Sequence, residues 1–202
     1  MIGHSNRINK MIASDNPQFM YSAANDCTVR KWDIVSGICE NIYRFADPIS
    51  ALQINEASNF MYTASWDKMV RVIDLEGERI LKCFVACPEK INCMLVFGDL
   101  IFVAGCDPTI RAFNNVDGTI SQFLGHTGWI YTLLAHGDFL YSGGDDHVVR
   151  VWRIETARQV DELRGHDDCV KSLVLCSNMV ISCGYDYAVI SWDIESLNYR
   201  VE

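Results

Sequence analysis

The sequence predicts an all-β fold assembled from repeated four-stranded antiparallel sheets, and three observations carry that expectation. First, one pattern recurs five times: YSAANDCTVRKW ending at Trp32, YTASWDKMVRVI at Ile73, FVAGCDPTIRAF at Phe113, YSGGDDHVVRVW at Trp152 and ISCGYDYAVISW at Trp192. The ends fall 41, 40, 39 and 40 residues apart. Second, each repeat holds short runs rich in β-branched and aromatic residues, bounded by turn formers. Third, no helical pattern, low-complexity tract or linker interrupts the series. A period of about 40 with four short strands per repeat is the signature of a β-propeller array. The blades are expected at about 3–44, 45–85, 86–124, 125–164 and 165–202, forming a single array over 1–202.

The repeat from Gly125 to Leu163 shows the logic in order. Trp129 to Leu134 reads as a first strand, Phe139 to Ser142 as a second, Val148 to Trp152 as a third and Gln159 to Leu163 as a weaker fourth. His136-Gly137-Asp138 and Gly144-Asp145-Asp146 supply the turns. Inner strands are near-continuous apolar runs, as burial on both faces requires. Outer strands such as Gly37 to Arg44 carry more polar residues, as an edge demands. In the last repeat a fourth strand is available only from Leu197 to Val201. Pro17, Pro48, Pro88 and Pro108 fall at turns or strand starts, where a missing N–H does least harm.

Composition narrows the function classes. The 202 residues are half apolar, enough for a substantial core. No apolar run approaches the roughly 18 residues that span a bilayer, and the N-terminus lacks a basic-then-apolar secretory pattern. A net charge of −9 works against a nucleic-acid backbone as the main partner. The nine cysteines are scattered without a C-x-x-C pair, so reduced thiols and a cytoplasmic or nuclear location are expected. Cys39, Cys83, Cys93, Cys176 and Cys183 lie in or beside predicted strands, where they should behave as small buried hydrophobes. No cofactor or metal is expected. Cys83, Cys87 and Cys93 match no zinc spacing, and Asp145-Asp146-His147 and His166-Asp167-Asp168 read as acidic turns. Gly143-Gly144 lacks the lysine and helix of a phosphate cradle.

Gly-His pairs at Gly3-His4, Gly125-His126 and Gly165-His166, with Trp-Asp pairs at Trp32-Asp33 and Trp192-Asp193, make the chain resemble the WD-repeat (WD40) β-propeller family along its whole length. The resemblance implies a buried relay in each blade, linking a His, a Ser or Thr, a turn Asp and a Trp. Three repeats carry it in full: His4, Ser22, Asp26, Trp32; His126, Ser142, Asp146, Trp152; and His166, Ser182, Asp186, Trp192. The second repeat has Phe45, Thr63, Asp67 and Ile73 instead, and the third Cys87, Val103, Asp107 and Phe113, so this side is expected to be softer. A Ser, His and Asp in hydrogen-bond order also fit a hydrolase triad. Threefold recurrence, the lack of a Gly-x-Ser-x-Gly elbow and a hydroxyl set beneath a Trp favour architecture over catalysis.

Family members mostly bind proteins or peptides across one propeller face. By register this implies contributions from Arg7, Asn9, Asn25; Pro48, Ser50, Trp66; Lys90, Asn92, Cys106; Trp129, Tyr131, Asp145; and Cys169, Lys171, Tyr185. Trp66, Trp129, Tyr131 and Tyr185 have the composition of binding hot spots. Lys90, Lys171 and Arg7 favour an acidic or phosphorylated element, whereas Asp145 favours a basic one. The expected function is a non-catalytic protein–protein interaction scaffold. The alternatives are a substrate-recognition module of a ubiquitin ligase, for which no Trp-Asp-x-Arg sequence is present, and an RNA-binding propeller. Five repeats against the family's usual seven imply an incomplete or open ring from a longer protein, with self-association at its exposed ends. A closed ring would turn each blade about 72°, against about 51° for seven.

Overall fold

The computed structural model describes residues 2–55 and 57–195, and nearly every regular element in it is a β-strand. Five antiparallel sheets follow one another in chain order. The first contains β1 (Ile8–Ala13), β2 (Phe19–Ala24), β3 (Thr28–Asp33) and β4 (Cys39–Arg44). The second contains β5 (Ile49–Asn55), β6 (Phe60–Ser65), β7 (Met69–Asp74) and β8 (Arg79–Val85). The third contains β9 (Ile91–Phe97), β10 (Leu100–Gly105), β11 (Thr109–Asn114) and β12 (Ile120–Leu124). The fourth contains β13 (Ile130–His136), β14 (Phe139–Gly144), β15 (Val148–Arg153) and β16 (Arg158–Arg164). The fifth contains β17 (Val170–Cys176), β18 (Met179–Gly184) and β19 (Val189–Asp193). The expected fourth strand over 197–201 lies outside the described residues.

Strands within each sheet pair in sequence order, so every connection is a short hairpin. The chain divides into two compact units, residues 1–94 and 95–202, with β9 running across the division. In the first unit Tyr21, Val29, Ile49, Leu52, Met61 and Ile73 form a core. In the second unit Tyr141, Val149, Val151, Val170, Leu173 and Val180 do the same. There Phe123 also packs its ring edge-on to Trp152, with centroids 5.9 Å apart.

Burial follows strand position. β14 and β15 are almost wholly buried, whereas the fourth strand β8 is exposed along nearly its whole length. That corrects one expectation about the thiols: Cys83, on β8, and Cys176, at the end of β17, are exposed. An outermost strand has no sheet covering its outward side chains, and a strand end lies beyond the core. Cys39, Cys93 and Cys183 are half-buried, and it is Cys87 that is buried.

The first strands share a device the sequence does not announce. Each of β1, β5, β13 and β17 has a register shift after its first paired residue: Ile8 faces Ala24 but Lys10 faces Ala23, and Ile130 faces Gly144 but Thr132 faces Gly143. The same shift separates Ile49 from Ala51 and Val170 from Ser172. Asn9, Ser50, Tyr131 and Lys171 are therefore the extra residues of β-bulges, which leave the ladder and re-aim their side chains.

Candidate functional site

Two sets of residues converge at the end of each sheet that carries the turn between second and third strands. The first set is the relay. In the fourth repeat the Trp152 Nε1–H donates to Ser142 Oγ at 2.8 Å. Ser142 Oγ lies 2.6 Å from His126 Nε2, and His126 Nδ1 lies 2.8 Å from Asp146 Oδ2. The first repeat gives 2.7, 2.6 and 2.8 Å through Trp32, Ser22, His4 and Asp26. The fifth gives 2.8, 2.7 and 2.6 Å through Trp192, Ser182, His166 and Asp186.

Proton directions follow from the acceptors. Burial alone would raise the Asp26 carboxyl, but hydrogen bonds from Thr28, His4 and the Ser5 N–H outweigh it and hold it at about 2. Asp146 and Asp186 are likewise held below the usual carboxylate range: burial opposes this, but His126, Thr127 and Arg150 act on the former, and Ala188, His166 and Asp167 on the latter. An ionised carboxylate only accepts, so each imidazole Nδ1–H donates to it. The serine oxygen accepts the indole N–H, and its own O–H points to Nε2, which accepts it. The chain runs one way, from indole to carboxylate, with each named link satisfied.

The Asp also fastens two loops together. In the first and fifth repeats its second oxygen accepts the N–H of the residue two positions on, Thr28 to Asp26 and Ala188 to Asp186, both at 3.1 Å, whereas in the fourth the buried Asp146 Oδ1 has no partner among the described residues. The oxygen facing the imidazole accepts the N–H of the residue after the His, from Ser5, Thr127 and Asp167 at 3.0, 3.2 and 3.1 Å. The Gly before each His is steric in origin: a Cβ at Gly125 would stand 2.9 Å from the Trp152 ring, and one at Gly3 2.8 Å from Trp32.

The hydroxyls are inaccessible: Ser142 and Ser182 are 0 % exposed, each beneath its indole. Triad distances are thus present without an open nucleophile. Sequence reading missed a second partner for the turn Asp, an Arg four residues later. Arg71 reaches Asp67 at 2.5 Å, Arg111 reaches Asp107 at 2.8 Å and Arg150 reaches Asp146 at 3.1 Å, while Arg30 stands 4.0 Å from Asp26. The signal was present in the repeated Val-Arg or Ile-Arg pair of four of the five quoted patterns, and in the fifth repeat that position is Ile190. In the second repeat Thr63 is 0 % exposed and its hydroxyl has no partner. Phe45 occupies the histidine position, with the Arg71 guanidinium 5.7 Å from its ring centre.

The second set comprises the register-implied contact positions. A backbone hydrogen bond joins two of them in four repeats: Asn25 N–H to Arg7 O, Trp66 N–H to Pro48 O, Asp145 N–H to Trp129 O and Tyr185 N–H to Cys169 O, at 2.8 to 3.0 Å. This approach excludes a side chain at Gly144, where a Cβ would lie 2.1 Å from the Trp129 carbonyl oxygen. Trp129 therefore precedes the strand it was expected to start. In the same four groups the remaining position, Asn9, Ser50, Tyr131 or Lys171, is the bulged residue.

Within residues 1–94, Arg7 and Lys90 are exposed, and the Lys90 ammonium lies 4.8 Å from the ring centre of half-buried Trp66. Asn9 Nδ2 donates to Asn25 Oδ1 at 2.7 Å and to the Ile49 carbonyl at 2.8 Å. Within residues 95–202 the groups form one cluster. Lys171 Nζ lies 3.3 Å from the Tyr131 ring centre and 5.0 Å from that of Tyr185. Tyr131 Oη donates to Asp145 Oδ1 at 2.8 Å, and burial together with that bond raises its pKa. Cys169 Sγ donates to the same Asp145 oxygen at 2.9 Å; that bond, with burial and Asp168, pushes the thiol up to about 12. Trp129 and Tyr185 remain 50 % and 58 % exposed beside these groups.

The five repeated sheets and the relay permit a direct comparison with known proteins. The family model described as WD domain, G-beta repeat, matches residues 1–33, 38–74, 118–153 and 157–193. The chain belongs to the WD-repeat family. The longest unmatched stretch, 75–117, includes Cys87, Val103 and Phe113 at the relay positions of the third sheet. The chain is 23 % identical over 175 residues to the nuclear distribution protein PAC1 of Coccidioides posadasii, covering 72 % of this chain and 37 % of that protein. It is 25 % identical over 153 residues to the zinc finger CCCH domain-containing protein 17 of Oryza sativa subsp. japonica, covering 74 % and 35 %. An uncharacterized WD repeat-containing protein of Schizosaccharomyces pombe is 23 % identical over 195 residues, covering 90 % and 53 %. The chain thus spans about a third to a half of these relatives' lengths. Among the described residues no helix is long and apolar enough to cross a membrane.

Proposed function

We propose that this WD-repeat chain is a non-catalytic scaffold that binds a protein or peptide at the Asp-turn ends of its sheets. The observation that carries the reading is the cluster of Trp129, Tyr131, Lys171 and Tyr185, two of whose rings are half or more exposed. Large aromatics held rigidly beside a charged group have the anatomy of an interface hot spot. Tyr131 and Lys171 are bulged residues whose position the ladder fixes on both sides, so little ordering entropy remains to oppose binding. Trp129 and Tyr185 supply apolar area, while the Lys171 ammonium, resting on two rings, keeps protons for an acceptor on the partner. The serine hydroxyls supply no competing chemistry, since each is engaged and sealed.

The test compares partners captured by the wild-type chain with those captured by a Trp129→Ala/Tyr185→Ala variant. Val116→Ala, at an exposed residue on the turn joining β11 to β12, serves as control. Truncating hot-spot aromatics at about 2 kcal/mol each should weaken a specific partner tenfold or more, and the control should not. An unchanged partner set from a folded double variant would refute the assignment.

A further inference from the structure

Two groups in residues 95–202 are absorbed neither by the relay nor by the contact cluster, and both lie in the two acidic turns. Asp146 and His166, drawn from the two acidic turns, are committed to relays. That leaves His147 and Asp168, and the fold brings them to Cys169. One nitrogen of His147, one carboxylate oxygen of Asp168 and the Cys169 sulfur all lie within 4.8 Å of one another. His147 occupies the exposed turn before β15, in a left-handed backbone conformation at φ 65°. Asp168 and Cys169 lie in the loop before β17, where Asp168 Oδ1 accepts the Cys169 N–H at 2.6 Å.

We propose that His147, Asp168 and Cys169 bind a zinc-class divalent cation that clamps the turn before β15 to the loop before β17. The donor set is one imidazole nitrogen, one thiolate and one carboxylate, the ligand types zinc takes. Zinc bonds of about 2.0–2.3 Å place tetrahedral donors roughly 3.3–3.6 Å apart, so closure needs about an ångström of side-chain movement. The exposed His147 turn can supply it, and the fourth position falls to water.

Electrostatics point the same way. Asp145 Oδ1 lies 2.9 Å from the Cys169 sulfur, and Asp168 sits beside it in sequence, so two carboxylates crowd one thiol. Among the described residues neither carboxylate forms an ion pair with lysine or arginine. A thiol has a single proton and gives it to Asp145. A divalent cation replaces that proton, which leaves to solvent, and thiolate plus Asp168 carboxylate balance its charge with His147 neutral. Asp145 keeps its bond from Tyr131. The sequence hides the site because its ligands lie on two neighbouring repeats without a spaced motif.

The test is a cobalt(II) titration of the reduced full chain, cobalt standing in for zinc. The expected result is thiolate-to-cobalt charge-transfer absorption saturating at about one equivalent, reversed by added zinc, with about one proton released per metal. Cys169→Ser should abolish the band, and His147→Ala, an exposed change that leaves the core intact, should weaken binding at least tenfold. Cys176→Ser, at an exposed thiol elsewhere, should leave the band unchanged. The proposal is independent of the scaffold reading, so Trp129→Ala/Tyr185→Ala should still bind cobalt. It falls if no thiolate band develops at saturating cobalt, or if the band survives in Cys169→Ser.

Discussion

Around Trp152 an indole, a hydroxyl, an imidazole and a carboxylate form one unbroken chain, whereas around Ile73 the same positions hold Ile73, Thr63, Phe45 and Asp67. Two of the four polar groups are gone, yet the turn is closed by a backbone bond, from Met69 N–H to Asp67 Oδ1 at 2.9 Å, where the equivalent Asp146 Oδ1 has no partner. What replaces the imidazole is Arg71, four residues on, paired with Asp67. The first and fourth repeats have both partners within ion-pair range of the Asp, the third has Arg111 with Cys87 at the histidine position, and the fifth has His166 with Ile190 where the Arg would be. The turn Asp is therefore the shared requirement, and the relay is one of two ways to hold it. The second repeat retains one relic of the other way, the unpartnered Thr63 hydroxyl.

The largest expected difference comes from deleting the hydroxyl where it works. Ser142→Ala strands the Trp152 N–H and the His126 Nε2, in a pocket with 0 % exposure at the serine. Each buried group left without a partner costs about 1–3 kcal/mol, so the variant should lose about 3 kcal/mol in denaturant unfolding. A loss below about 1 kcal/mol would mean that the relay is decorative and the comparison empty.

Next in size is the Arg that substitutes for the imidazole. Arg71→Met leaves Asp67 partly buried without its charge partner and should cost about 2 kcal/mol, less than a fully buried pair because both side chains keep some solvent contact. The same change at Arg30 should cost less than about 1 kcal/mol, since Arg30 stands 4.0 Å from an Asp26 already held by His4 and Thr28. Equal losses in the two unfolding curves would show that the Arg does not stand in for the relay.

Most of this was legible in the chain. The period and the turn formers place the strands because each sheet is closed by local hairpins, and the relay residues keep fixed spacing within one repeat. What escaped was geometry that no single repeat encodes. The bulges at Asn9, Ser50, Tyr131 and Lys171 depend on how first and second strands register. The Lys171 ammonium sits on Tyr131 because two sheets meet, and Asp145 is shared by a phenol and a thiol from different repeats. The exposed Cys83 and Cys176 escaped because composition ranks a residue type, whereas burial belongs to a strand's place in its sheet.

The smallest effect is also the sharpest, because its sign reverses. Thr63→Val is nearly isosteric and removes a hydroxyl that is 0 % exposed and bonds to nothing. Folding now strips that hydroxyl of water without return, so its removal should raise stability by about 1 kcal/mol. The structurally equivalent deletion at Ser142 lowers it. Both positions face the third strand in the same register, Thr63 opposite Arg71 and Ser142 opposite Arg150, so backbone context does not distinguish them. Only the partner set differs: an indole and an imidazole in one repeat, isoleucine and phenylalanine in the other. If Thr63→Val destabilises in the same unfolding assay, the hydroxyl has a partner and the second repeat keeps a relay of its own.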